Sequence, residues 1–146
     1  MVFKIFLDIN IVIDLYDESR PGYKNAVFLF KLIESNKLDA FISETVITTT
    51  AYVLRKHVTA GELREIITGL NIILTVLPCD NRLIAKAMEN NIGDIEDAIL
   101  YETAKYHKLH YFISNDKDHF KKAGDGVLPV LTSEKFIKML EEKNVL

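Results

Sequence analysis

The sequence predicts a three-layer α/β/α fold, with helices on both faces of a central parallel sheet of four to five short strands. Three observations predict it. Short apolar runs with β-branched and aromatic character, such as FKIFLD and LDAFIS, recur along the chain. Segments with helical spacing separate them. No repeat or low-complexity linker interrupts the series, and the chain has only three prolines. Strands that alternate with helices build parallel sheets covered on both sides.

The elements follow in order. FKIFLD reads as a buried strand ending at Asp8. NIVIDLYD either continues it or begins a short helix. GYKNAVFLFKLIESNK has helical spacing, with Ala26, Leu29, Phe30 and Ile33 on one face and Pro21 and Gly22 at its start. LDAFIS is a second strand, ending at Ser43. TVITTTAYVLRKH is rich in β-branched residues, but its length and its Val46, Thr49, Thr50, Val53 face predict a helix. ELREIITGL is helical and IILTVLP is a third strand. NRLIAKAMEN and the segment opening at GDIEDA are helices. HYFIS is a fourth strand, VLPVLT a short fifth, and SEKFIKMLEEKN a closing helix with Ser133 as its N-cap.

A chain of 146 residues suits one domain over 1–146. A domain of that size buries roughly 68–70% of its unfolded surface, enough for a core without staples. Hydrophobic residues make up 49%, which excludes intrinsic disorder. The single cysteine, Cys79, rules out an internal disulfide and suits a reducing compartment. Lys4, Asp8 and Asp14 interrupt the apolar start, so it reads as neither signal peptide nor membrane span. The expectation is a soluble cytoplasmic protein with no membrane partner. The net charge of −3 gives no long-range attraction for nucleic acid, so any such contact must be local.

The acids carry the chemistry. In such sheets, sites form beyond the carboxyl ends of the strands. Asp8 ends the first strand and Asp116 follows the fourth. Asp94 and Asp97 open the helix before the fourth strand, with Glu96 between them. Carboxylates brought together raise one another's pKa, and burial raises it further. A hard divalent cation such as Mg²⁺ or Mn²⁺ removes that cost and can activate a bound water. The four histidines share no ligand spacing, which points away from zinc.

The chain resembles the PIN-domain nucleases, in particular the VapC-like toxins of toxin–antitoxin pairs. IFLDINIVIDL is similar to their opening, DIEDAILYETA to their central motif, FISNDKDHFK to their strand-four motif, and PVLTSEKFI to their last strand and helix. FISETVITTTAYVLRKH resembles the segment that carries their second acid. The resemblance implies a catalytic set of Asp8, Asp97 and Asp116, with Asp94 as a further metal-binding acid. Asn10 matches a polar residue that supports the first acid, and Ser114 the hydroxyl residue of the strand-four motif. It also implies metal-dependent cleavage of RNA by water, a homodimer and an antitoxin partner. Three positions depart from the pattern. Ile9 replaces a small hydroxyl residue, His119 interrupts the Asp-Phe ending, and Thr49 stands where an acid or Asn is expected. Glu44 is the only nearby carboxylate, expected as a first-turn acid rather than a substitute. Thr49 is expected to hold a metal-bound water.

Simpler roles exist for each residue. Asp94 suits an N-cap, Asp97 a first-turn acid and Asp116 the cap of a short helix. Glu96 is expected to face solvent. Lys117, Lys121 and Lys122 are candidates to hold a phosphate backbone. The alternative function is a PIN-like fold that binds RNA or a protein without cutting, favoured by Thr49. A response-regulator receiver would need an Asp ending the third strand, where the chain reads TVLPCD, and no Gly-rich turn follows the first strand. The apolar helix from Ala26 to Ile33 and the TTTAYVL helix are the expected dimer surface.

Overall fold

The computed structural model describes residues 1–121 and 126–146. The order of elements is β1 (Phe3–Leu7), α1 (Ile9–Leu15), α2 (Tyr23–Glu34), β2 (Leu38–Ser43), α3 (Glu44–Leu54), α4 (Ala60–Ile73), β3 (Thr75–Leu77), α5 (Asn81–Glu89), α6 (Ile95–Tyr106), β4 (Tyr111–Ile113), a 3₁₀ turn (Lys117–Phe120), β5 (Val130–Leu131) and α7 (Ser133–Glu142). The five strands form one sheet in the order β3-β2-β1-β4-β5. Every pairing is parallel.

This order fixes where the helices lie. From β1 the chain steps outward to β2 and β3, then returns past β1 to β4. Right-handed crossovers in opposite directions put the two sets of helices on opposite faces. The packing agrees: α1 contacts α2 and α3, α3 contacts α4, and α5 packs against α6. The C-terminal α7 rests on α2. The result is the expected three-layer α/β/α arrangement. The direction reverses between β1 and β4, which makes their carboxyl ends the crevice of this sheet.

The central strand explains why the crevice is rigid. Phe3, Ile5, Phe6 and Leu7 are buried, and only Lys4 faces out. Phe6 stacks on Phe112 of β4 at 5.1 Å, and Phe112 meets Phe120 at 4.7 Å. Tyr101 of α6 closes the same cluster and donates its hydroxyl to Leu128 O at 3.1 Å. Burial of Phe120 thus ties the 3₁₀ turn to the sheet.

Two boundaries differ from the sequence reading. Ile72 and Ile73 end α4 rather than open β3, which spans only Thr75–Leu77. Ile66, Ile67, Leu70 and Ile73 continue a helical stripe against the core, and Leu74 N–H still bonds Leu70 O at 2.9 Å. Helix spacing prevails there over β-branched composition. The N-cap of α7 is Thr132, whose hydroxyl accepts from Lys135 N–H at 3.2 Å. Ser133 is the first helical residue, and its hydroxyl is engaged by Asn115. The segment after Asp8 is α1, and TVITTTAYVL is helical throughout. Among the described residues, no helix is long and apolar enough to cross a membrane.

Candidate active site

Asp8 is the innermost acid, 2% exposed at the end of β1. Its extended backbone makes it the N-cap of α1, with Oδ1 accepting from Ile9 N–H at 2.8 Å. Oδ2 accepts from Ser114 Oγ at 2.6 Å and from Asn10 Nδ2 at 3.3 Å. The parallel register brings Leu7 opposite Ile113, so Asp8 and Ser114 emerge side by side. Burial raises the proton affinity of Asp8, against the lowering effect of the Ser114 and Ile9 hydrogen bonds. A negative charge at Asp116 adds to the rise.

The head of α6 delivers the next two acids. Asp94 is the N-cap, and its Oδ1 accepts from Asp97 N–H at 3.0 Å. The capping role is therefore real, and it also aims Asp97 inward. Asp97 is buried and its pKa is pushed up to about 6, first by desolvation and then by the charges of Asp8 and Asp94. Glu96 is exposed as expected. Its proton affinity is nonetheless raised by partial burial and by Asp94 and Asp8, so it belongs to the same field.

Asp116 follows β4. Its backbone N–H donates to Ser114 Oγ at 3.1 Å. One hydroxyl therefore holds Asp8 by its carboxylate and Asp116 by its backbone. The Asp116 carboxylate precedes the 3₁₀ turn without a side-chain cap bond and is 61% exposed. His119, in the same turn, points Nδ1 at Asp97 Oδ2 (2.9 Å) and lies 4.0 Å from Asp116 Oδ2. The Asp97 hydrogen bond and the Asp116 charge raise the proton affinity of the imidazole. Sequence reading had this residue only as an interruption of a motif. The structure puts it between two of the acids.

This arrangement has a family. A family model described as a PIN domain matches residues 4–118. The chain belongs to the PIN-domain family. It is 33% identical over 138 residues to ribonuclease VapC1 of Aquifex aeolicus strain VF5, across 91% of this chain and 92% of that one. The relationship places it in the VapC-like branch of the PIN domains. Its fold is shared by VapBC2 of Rickettsia felis, bound to a promoter DNA fragment (TM-score 0.65, 16% identity, 89% of this chain and 98% of that chain). A toxin–antitoxin complex from Klebsiella pneumoniae matches equally in shape (TM-score 0.65, 20% identity, 88% and 97%).

The PIN-domain match spans all four acids, Asp8, Asp94, Asp97 and Asp116. The second-acid segment fares differently. Thr49 is half-buried on α3, and among the described residues it has no hydrogen bond to the four acids. Thr50 beside it is fully buried, its hydroxyl without a hydrogen-bond partner among the described residues. Glu44 is exposed in the first turn of α3, as expected. Of the candidate phosphate-holding lysines, Lys121 pairs with Asp118 at 3.0 Å. Lys122 and the side chain of Lys117 lie outside the described residues.

A divalent cation suits this donor set. The acids are oxygen ligands, two of them buried, and the charges of Asp8 and Asp94 disfavour the ionised form of Asp97 as that of Asp116 does for Asp8. His119 lies within 4.0 Å of both Asp97 and Asp116 and offers them a positive charge when protonated. Among the described residues, no three Asp, Glu, His or Cys side chains stand together in a ligating arrangement. Asp94 and Asp116 are exposed.

Proposed function

We propose that this protein is a metal-dependent endoribonuclease and the toxin of a toxin–antitoxin pair. One observation carries the reading. Asp8 ends β1 and Asp116 follows β4, the two strands at the switch point of the sheet, and Asp97 is pushed up to about 6 by burial and by the charges of Asp8 and Asp94. The kinship to a protein named ribonuclease VapC1 supports RNA as the substrate. Asp8, Asp97, Asp116 and Asp94 would hold Mg²⁺ or Mn²⁺. Such an ion, when bound, lowers the pKa of a water and steadies charge on a phosphodiester.

The chain's own residues prepare that chemistry. Ser114 fixes Asp8 and the backbone of Asp116 together. Asn10 gives Asp8 a further donor, so its inner lone pairs are engaged and its position is set. Asp94 aims Asp97 inward by capping α6. His119 Nδ1 and Asp97 Oδ2 share a hydrogen bond of 2.9 Å that ties the 3₁₀ turn to the head of α6. A homodimer and a bound antitoxin belong to the same proposal, as does a single domain in the cytoplasm. For the dimer, the face of α2 from Ala26 to Ile33 is spent on the core. Tyr52 (62% exposed) and Val53 on α3 remain available.

The test is cleavage of a mixed RNA pool. Cutting with Mn²⁺ or Mg²⁺, lost in EDTA and in Asp97→Asn, is the expected result. Undiminished cleavage in EDTA would sink the reading.

A further inference from the structure

Between Ser114 and Asp116 lies a residue that carries no charge and makes four hydrogen bonds. The Asn115 backbone N–H donates to Asn10 Oδ1 at 3.4 Å. Its Nδ2 donates to Asp14 Oδ2 at 3.2 Å. Its Oδ1 accepts from both the backbone N–H and the hydroxyl of Ser133, each at 3.0 Å. One side chain thus joins α1, the end of β4 and the first residue of α7.

Its anchor is rigid. Asp14 is buried on α1, and its other oxygen accepts from Arg20 Nε. A buried carboxylate needs such partners on both oxygens. Gly22 lies against this group, and a Cβ there would collide with the Asp14 carboxylate and reach Asn115 Nδ2 at 3.0 Å. From this anchor the bonds run through Asn115 to Asn10, and Asn10 donates to Asp8. A second path, through Ser114, already joins Asp8 to Asp116.

We propose that Asn115 is a positioning residue for metal capture. It holds Asp116 and Asn10 in place against Asp8, with Asp14 and Arg20 as its support. This rests on the metal-dependent reading of the acid site. Asn115 is itself exposed, so its side chain contributes little to the apolar core. Its removal takes a donor from buried Asp14, so affinity and stability are measured together. Partners that orient metal ligands without touching the metal typically change affinity about ten- to a hundred-fold.

The experiment is Mn²⁺ binding by titration calorimetry, paired with urea unfolding in EDTA. Asn115→Ala should lose at least about ten-fold in Mn²⁺ affinity while remaining folded, its urea midpoint lowered because buried Asp14 loses a donor. Asn25→Ala is the control. Asn25 borders the same cavity of about 380 Å³ as Asn115 and Asp116, and its replacement should leave affinity unchanged. Asn115→Ser, which also lacks the amide, replaces the alanine variant if that fails to fold. Wild-type affinity in the Asn115 variants, or an equal loss in Asn25→Ala, overturns the proposal while the nuclease reading stands. A wild-type protein that binds no Mn²⁺ overturns both.

Discussion

Asp8 and Ser114 are 106 residues apart in sequence and share a 2.6 Å hydrogen bond. The bond exists because β1 and β4 are neighbours in the sheet, with Asp8 N–H also held by Ile113 O at 3.0 Å. It is the shortest link between the two halves of the acid site, and it makes Ser114 the first residue to test.

Ser114→Ala should destabilise the protein by about 1–3 kcal/mol, because it leaves a buried carboxylate oxygen short of a donor. It should also raise the proton affinity of Asp8, since this bond now lowers it. Ser114→Thr should keep the hydroxyl bond and most of the activity. Urea unfolding and RNA cleavage measured side by side check this. An alanine variant of wild-type stability and activity would mean that Asn10 and Ile9 suffice.

The pH dependence has a definite sign. The Asp97 pKa rises from an ordinary 3.8 to about 6 in the folded protein. The folded state therefore binds its proton more tightly than the unfolded chain. That contribution is fully present below 3.8 and is lost as pH rises to about 6. Asp8 and Glu96 shift in the same direction. In EDTA, unfolding free energy should fall between about pH 4 and 6.5, and Asp97→Asn should flatten part of that fall. A profile that rises over this range would contradict the electrostatics of the cluster.

Thr49 and Glu44 test the second-acid segment. Thr49 is half-buried on α3 while Glu44 stands exposed in its first turn. Thr49→Glu should tighten Mn²⁺ binding by calorimetry, and wild-type activity should need millimolar metal, about the affinity of weak oxygen sites. Glu44→Gln should barely change either. If Glu44→Gln abolished binding and Thr49→Glu did nothing, Glu44 would be the second acid.

Tyr52 offers the sharpest test of self-association. It projects from α3 with the Arg55 guanidinium 3.8 Å over its ring. Tyr52→Asp should shift a dimer toward monomer in light scattering at micromolar concentration, without loss of fold by circular dichroism. A wild-type protein that is already a monomer would remove this surface from the proposal.

The sequence alone determined the elements and the chemistry of the candidates. Helices such as TVITTTAYVL were legible despite their β-branched residues, because their apolar positions recur at three and four residues. Asp8, Asp94, Asp97 and Asp116 stood out as candidates because acids at the ends of apolar runs are conspicuous locally and their motifs resemble those of PIN domains. The tertiary structure decided what meets what. His119 against Asp97, Ser114 against Asp8, and Asn115 joining Asn10, Asp14 and Ser133 all depend on β1 lying beside β4. The polar Asp14 in the apolar run INIVIDL was the one local sign of that network. Spacing along a chain encodes which face a residue takes within its own element. It does not encode strand order, and a hydrogen bond of 3 Å requires both partners to be set by packing that spans the whole fold.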